Sequence, residues 1–156
     1  MRADDTITTQ EYFSYYKLDS TRAKGYTGKG VTIAMIDGPV DTSAPELAGA
    51  NITTKTLCKY EATNATKTHA TAIASVLVSK YYGLIAYAMP AEGEKISDEC
   101  RQDDQGLKRT SFAQFGTAMN DGAQIISYSS SDPNHEQVPL KWAIARAIAQ
   151  GVIIVG

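Results

Sequence analysis

Short, unbroken runs of apolar residues recur along the chain of 156 residues, and segments with other patterns separate them. An apolar run of strand length without polar alternation is typical of a strand that is buried on both faces. Such strands occur in parallel sheets that helices cover, so the pattern predicts an α/β fold: a parallel β-sheet with helices on both faces. The predicted strands are residues 31–36, 84–89, 124–128 and 152–155.

The segments between the predicted strands contain three predicted helices. Small and β-branched residues predict a helix over 68–82, and apolar residues at helical spacing predict two more over 110–121 and 140–150. The other connections are rich in turn residues, apart from a short β-like piece at 51–57. The charged, turn-rich segment 91–109 is predicted to be a surface excursion.

The first 24 residues differ in pattern from the rest of the chain. They are polar, and a short aromatic patch at 12–16 predicts an amphipathic helix that lies on another surface. We therefore divide the chain into an N-terminal extension or helix at 1–24 and a single domain at 25–156.

Charge and cysteine content exclude several classes of function. The chain has 15 basic and 17 acidic residues and a net charge of −2, without the basic stripe that is typical of nucleic-acid binding. It contains no apolar run of about 18 residues, so we expect no membrane partner. Cys58 and Cys100 are predicted to be unpaired thiols, because they form neither a disulfide framework nor a metal-binding spacing. No secretory signal precedes the domain, so a cytoplasmic location is expected if Met1 is the true start.

Asp37 follows directly after the first predicted strand, at its carboxyl end. In open parallel sheets, ligands and catalytic groups collect at this edge. A buried carboxylate also needs a partner, because burying it unpaired costs several kcal/mol. Two interpretations stay open from position alone: Asp37 is a functional group, or it caps the loop that follows the strand.

His69 is one of two histidines and is predicted to open the small-residue helix. At a helix N-terminus the dipole disfavours a charged imidazole, so a nearby carboxylate such as Asp37 is a natural partner. The alternative is a solvated histidine without a functional role. The second histidine, His135, lies in a polar loop and is predicted to be solvated.

The sequence around these residues resembles the subtilisin-like serine proteases. GYTGKGVTIAMIDGPVDTSAPEL (25–47) resembles their aspartate region, and HATAIASVL (69–77) resembles their histidine region. GAQIISYSSS (122–131) is similar to the strand beside the substrate, and AIARAIAQGVIIVG (143–156) to the helix and strand that lead to the oxyanion asparagine. The Asp-Gly-Pro-Val-Asp segment at 37–41 is most similar to the subtilases that mature cyanobactins.

The resemblance implies a function and a role for each matching residue. Asp37 would orient the imidazole and His69 would act as general base in a serine endopeptidase. Ser129, Ser130 and Ser131 would present backbone groups that pair with an extended peptide or protein substrate.

Several departures from the family pattern qualify this prediction. The 156 residues contain neither the oxyanion asparagine nor a Gly-Thr-Ser-Met-Ala nucleophile motif, so 25–156 is predicted to be a partial catalytic domain. The missing serine would come from a C-terminal half or a second chain, and the chain alone is expected to be inactive. Gly38 replaces a residue that is usually Thr or Ser, and Ala70 replaces a glycine and is expected to crowd the substrate. Glu46 matches a calcium ligand of the family in residue type, but the family's calcium-binding loop, which would precede YYGLIAYAMP (81–90), is missing, so calcium binding is not supported and we expect no metal and no cofactor.

Two other functions remain open at this stage. One alternative to the peptidase is a subtilase-like module that binds peptides without catalysis, and the other is an inactive truncated product. A doubly wound ligand-binding domain is the least favoured interpretation, because GYTGKG (25–30) precedes a strand, whereas phosphate-binding glycines follow one.

Overall fold

The computed structural model describes residues 15–56, 59–78, 82–91, 94–98, 109–129 and 138–156. Its helices are α1 (Leu18–Ala23), α2 (Asn64–Leu77), α3 (Arg109–Asn120) and α4 (Val138–Ala149), with a 3₁₀ turn at Pro45–Leu47. Its strands are β1 (Thr32–Asp37), β2 (Ile52–Thr56), β3 (Tyr60–Glu61), β4 (Gly83–Ala88), β5 (Lys95–Ile96), β6 (Ile125–Tyr128) and β7 (Ile153–Val155).

Five of these strands form one parallel sheet in the order β2-β4-β1-β6-β7. The four strands that the apolar runs predict are all present, with ends shifted by one residue. The fifth, β2, falls on the predicted β-like piece and adds an edge strand beside β4. Its sequence ITTKT is half exposed, and such a polar strand carries no apolar run that would reveal its place in the sheet.

Helices cover both faces of the sheet, as the unbroken apolar strands predict. On one face, Ala34 and Ile36 of β1 belong to a core that α3 and α4 complete. On the other face, Ile33 and Met35 pack with the small residues of α2. The buried members from the helices are Phe115, Ala118, Leu140 and Ala147 on the first face and Ala70 and Ala74 on the second. The central strand β1 is therefore buried on both sides, which fixes the position of its last residue.

Helix α2 begins earlier and ends earlier than the sequence pattern predicts. Thr63 caps it, and its hydroxyl accepts a hydrogen bond of 3.2 Å from the amide of Thr66. The helix ends at Leu77, and Val78 is already extended. The predicted end near residue 82 is wrong, because Gly83 is the first residue of β4.

The segments outside the sheet match the sequence predictions only in part. Tyr15 and Tyr16 are exposed, and the short helix α1 after them buries no residue. Within the excursion at 91–109, β5 pairs with β3 in an antiparallel ribbon. Residues 12–14, both cysteines and His135 lie outside the described residues. The division into an extension and a domain stays a prediction. Across the described segments, no helix is long and apolar enough to cross a membrane.

A polar contact joins the edge strand β2 to Asp121, the residue that follows helix α3. We expect it to make the stability of the fold depend on pH. Asp121 accepts hydrogen bonds from Lys55 (2.6 Å) and from the hydroxyl of Tyr87, whose side chain is buried. The hydrogen bonds from Lys55 and then Tyr87 hold the pKa of Asp121 below its ordinary value of 3.8. The contact therefore stabilises the fold above the pKa of the unfolded chain, and this stabilisation is lost as the pH falls through the lower pKa of the folded chain.

We expect Asp121→Asn to lower the free energy of unfolding by about 1–2 kcal/mol at neutral pH, because it weakens the bond to a buried hydroxyl. The difference from the wild type should shrink as the pH falls below 3.8. Urea denaturation at neutral pH and at about pH 3 measures both effects. Asp19→Asn, on the exposed helix α1, is the control. A difference of equal size at both pH values would contradict the linkage.

Candidate active site

Asp37 and His69 form a hydrogen-bonded pair at the carboxyl end of the sheet. Asp37 is the last residue of β1 and only 6% exposed. Its Oδ1 lies 3.0 Å from Nδ1 of His69 and also accepts a hydrogen bond of 2.6 Å from the amide of Gly38. The predicted contact between the two side chains is therefore present. The carboxylate caps its own loop and also contacts the histidine, and its functional role stays a prediction.

His69 lies in the second turn of α2, not at its start. The sequence pattern predicts that His69 lies at a helix N-terminus, and this is wrong because the capping residue Thr63 comes six residues earlier. The dipole argument therefore does not apply to His69, since that effect is confined to the first turn. The imidazole is about half exposed, with its side chain 53% accessible. Pairing of Nδ1 with the carboxylate leaves Nε2 to exchange a proton with a bound molecule.

Gly38 permits the close approach of α2 to the end of β1. A Cβ at this position would lie 2.4 Å from Cγ2 of Thr66 and 2.9 Å from its carbonyl oxygen, which is too close for any side chain. The resemblance marks Gly38 as a departure from the family pattern, and the structure gives it a steric reason. Asp37 Oδ2 is buried and has no hydrogen-bond partner among the described residues.

Ser129 follows β6 at the same edge of the sheet. In the parallel register Ile36 faces Tyr128, so Asp37 and Ser129 each come one residue after this pair. Ser129 is half-buried, whereas Ser130 and Ser131 lie outside the described residues. Substrate binding by these serines stays a prediction.

A groove of about 830 Å³ runs between α2 and the loop that follows Asp37. The loop contributes residues 39–41, and the helix contributes Thr68, which directly precedes His69, and Ala72. Ala70 itself is completely buried in the core under the sheet. The expectation that Ala70 crowds the substrate is therefore wrong, because its side chain faces the core.

Thr66, which lies against Gly38, and its hydrogen-bond partner Glu94 were not predicted from the sequence. The pattern Thr63-Asn-Ala-Thr66 is an N-cap signal and would have located the start of α2. No local pattern marks Glu94, which reaches Thr66 from 28 residues away. In the part of the chain that the structure describes, no three His, Cys, Asp or Glu side chains lie together as a metal site.

Comparison with known proteins identifies the fold. No family model and no curated protein matches the chain. Among solved structures, an alanine-for-serine variant of the protease domain of PatA is 23% identical to this chain, with a TM-score of 0.59. The match covers 83% of this chain and 50% of the PatA chain. The self-cleaved PatA protease domain is 20% identical, with a TM-score of 0.56, and the match covers 80% of this chain and 47% of that one. The patellamide maturation protease PatA is 21% identical, with a TM-score of 0.54, and the match covers 81% of this chain and 47% of that one.

The chain has a subtilisin-like fold. The predicted resemblance is thereby confirmed at the level of the fold. The chain spans about half the length of the PatA structures that it matches. In this fold the Asp37–His69 pair stands at the carboxyl edge of the central strand, where the resemblance expects the two catalytic groups.

Proposed function

We propose that this chain is the part of a subtilisin-like serine endopeptidase that carries the aspartate and the histidine. The observation that carries the proposal is the 3.0 Å contact between Asp37 Oδ1 and His69 Nδ1. A buried carboxylate on Nδ1 holds the imidazole in the tautomer whose Nε2 accepts a proton, which is what a serine peptidase requires of its base.

The chemistry follows from this tautomer. His69 Nε2 takes the proton of a serine hydroxyl as the serine oxygen attacks the peptide carbonyl carbon. The protonated imidazole, which Asp37 stabilises, then gives that proton to the leaving amine as the C–N bond breaks. Water releases the acyl group from the serine in the reverse sequence of proton transfers. The half-exposed imidazole gives the serine and the substrate access to Nε2.

The serine and the oxyanion donor are proposed to come from a C-terminal half or from a second chain. Strand β7 is at one edge of the sheet and exposes Ile153 and Val155. Helix α4 beside it exposes Trp142 and Ile148. An open strand edge with apolar neighbours supports the addition of further structure at this place.

A peptide or protein substrate is proposed to lie along Ser129, Ser130 and Ser131 as an added strand. The groove beside α2 supports a site for further substrate residues, because residues 39–41, which follow Asp37, and Thr68, which precedes His69, line it. Substrate residues on one side of the scissile bond would occupy it.

Labelling with a fluorophosphonate tests the division of catalytic groups. We expect no labelling of the 156-residue chain alone, because its sequence lacks a nucleophile motif beside the base. Addition of a segment that carries a serine nucleophile and an oxyanion donor, joined to the chain or supplied separately, should restore labelling. The His69→Ala variant in the same mixture is the control. Stoichiometric labelling of the chain alone would contradict the proposal.

The second candidate is a subtilase-like module that binds peptides without catalysis. The groove of about 830 Å³ and the absence of a nucleophile motif favour it. A chain that is monodisperse, unfolds cooperatively and binds peptides, but gains no activity from any added segment, would support the module.

A further inference from the structure

The carboxylate of Glu94 ties the β3–β5 ribbon to the start of helix α2. One oxygen accepts hydrogen bonds from the amide of Thr63 (2.7 Å) and from the hydroxyl of Thr66 (2.6 Å). The other oxygen accepts a bond of 2.8 Å from the amide of Ala91. Glu94 directly precedes β5, whose partner strand β3 lies just before α2. One side chain thus connects the ribbon with the first turn of the helix.

Thr66 joins this carboxylate to the Asp–His pair. Its hydroxyl donates to Glu94, while its methyl group and carbonyl oxygen lie against Gly38. The amide of Gly38 donates to the same Asp37 oxygen that His69 contacts. The position of Thr66 therefore sets how closely α2 approaches the end of β1.

The charges of both carboxylates act on the hydroxyl of Tyr60. Its hydroxyl is buried without a hydrogen-bond partner among the described residues. Burial, then the charge of Glu94, then that of Asp37 raise the pKa of Tyr60. Burial also raises the pKa of Glu94, but its hydrogen bonds outweigh burial and hold that pKa below the ordinary value. Glu94 therefore accepts hydrogen bonds as a carboxylate at neutral pH.

We propose that Glu94 is a positioning residue: through Thr66 it fixes the distance between α2 and the end of β1, and so keeps the Asp–His pair in contact. This proposal rests on the proposed function for its consequence in catalysis. A carboxylate that only capped the helix would add stability and leave the pair unchanged.

The tautomer of His69 distinguishes a positioning residue from a helix cap, and it can be measured without enzymatic activity. The experiment uses the 156-residue chain labelled with ¹⁵N, at about pH 8, where a free imidazole is neutral. Ring nitrogen shifts give the ratio of the Nδ1–H to the Nε2–H form, and His135 provides the second, internal histidine signal. We expect Glu94→Ala to lower this ratio for His69 by about threefold to tenfold, which is the lower part of the range of coupling between residues in one hydrogen-bond network.

Variants of Thr66 show whether the effect passes through its hydroxyl. Thr66→Val removes the hydroxyl and keeps the methyl contact with Gly38, so it should lower the ratio as Glu94→Ala does. Thr66→Ser keeps the hydroxyl and should retain most of the wild-type ratio. The double variant with Glu94→Ala and Thr66→Val should equal either single one. Glu61→Gln removes an exposed carboxylate from the same ribbon and should change nothing.

An unchanged ratio in a folded Glu94→Ala variant would overturn the proposal and leave Glu94 as a helix cap. If that variant does not fold, Thr66→Val decides: a wild-type ratio there overturns the proposal equally. In a reconstituted peptidase, Glu94→Ala should lower kcat more than it changes KM. Absence of hydrolysis in the wild-type mixture would refute the proposed function, whereas the tautomer ratio would still test the positioning.

Discussion

Replacement of His69 by alanine is expected to lower kcat by about 10⁶ once the chain works with a serine nucleophile, because no other group then takes the proton of the serine. Asp37→Asn should lower kcat by about 10⁴, because an amide at this position stabilises the wrong tautomer of the imidazole. The smaller loss for Asp37 follows from its role, since it orients the base without exchanging a proton. Initial rates of peptide hydrolysis by the reconstituted protein measure both effects.

Val76→Ala is the matched control for these variants. Val76 lies on the same helix as His69, near its end, and is 61% exposed. Its rate should equal that of the wild type. An Asp37→Asn variant with more than about a tenth of the wild-type rate would show that the contact of 3.0 Å has no catalytic role. If the rate of the His69→Ala variant were unchanged, this chain would not supply the general base of the reaction.

The apolar runs predicted the centre of the fold well because burial on both faces leaves no room for polar residues. This explains why β1 and β4 were found within one residue. The segment of β2 was predicted to be β-like, but its place in the sheet was not predicted, since a partly exposed edge strand rich in threonine lacks that constraint. Helix α2 was misplaced for a related reason: its first turn is polar and is defined by the Thr63 cap, not by apolar spacing.

The sequence predicted those residues of the candidate site that directly follow a predicted strand, because the ends of parallel strands meet at one edge of the sheet. Asp37 ends a central strand, so its position followed from the strand itself. The contact with His69 was expected from the resemblance and from the need of a buried carboxylate for a partner. The contact between Glu94 and Thr66 was not predictable from the sequence. The two residues are 28 positions apart, and only the folded chain brings them within hydrogen-bond distance.

Gly38→Ala is expected to destabilise the protein by about 1–3 kcal/mol, the usual cost of inserting a methyl group into a packed site. The new Cβ would lie 2.4 Å from Cγ2 and 2.9 Å from the carbonyl oxygen of Thr66, and the second of these atoms is backbone. The clash therefore cannot be relieved by a rotamer change alone, and α2 must move away from the end of β1. Urea denaturation measures the loss of stability, and the His69 tautomer ratio should fall with it, because the movement lengthens the contact with Asp37.

Two further variants separate this steric effect from a general cost of changing a glycine. Gly116→Ala, within α3, places its Cβ in open space, so it should leave stability unchanged or raise it by about 0.5–1 kcal/mol through helix propensity. Thr66→Ser combined with Gly38→Ala removes the Cγ2 clash but not the one with the carbonyl oxygen, so stability should return in part. A Gly38→Ala variant as stable as the wild type, with an unchanged tautomer ratio, would show that the approach of α2 to β1 is not what holds the Asp–His pair together.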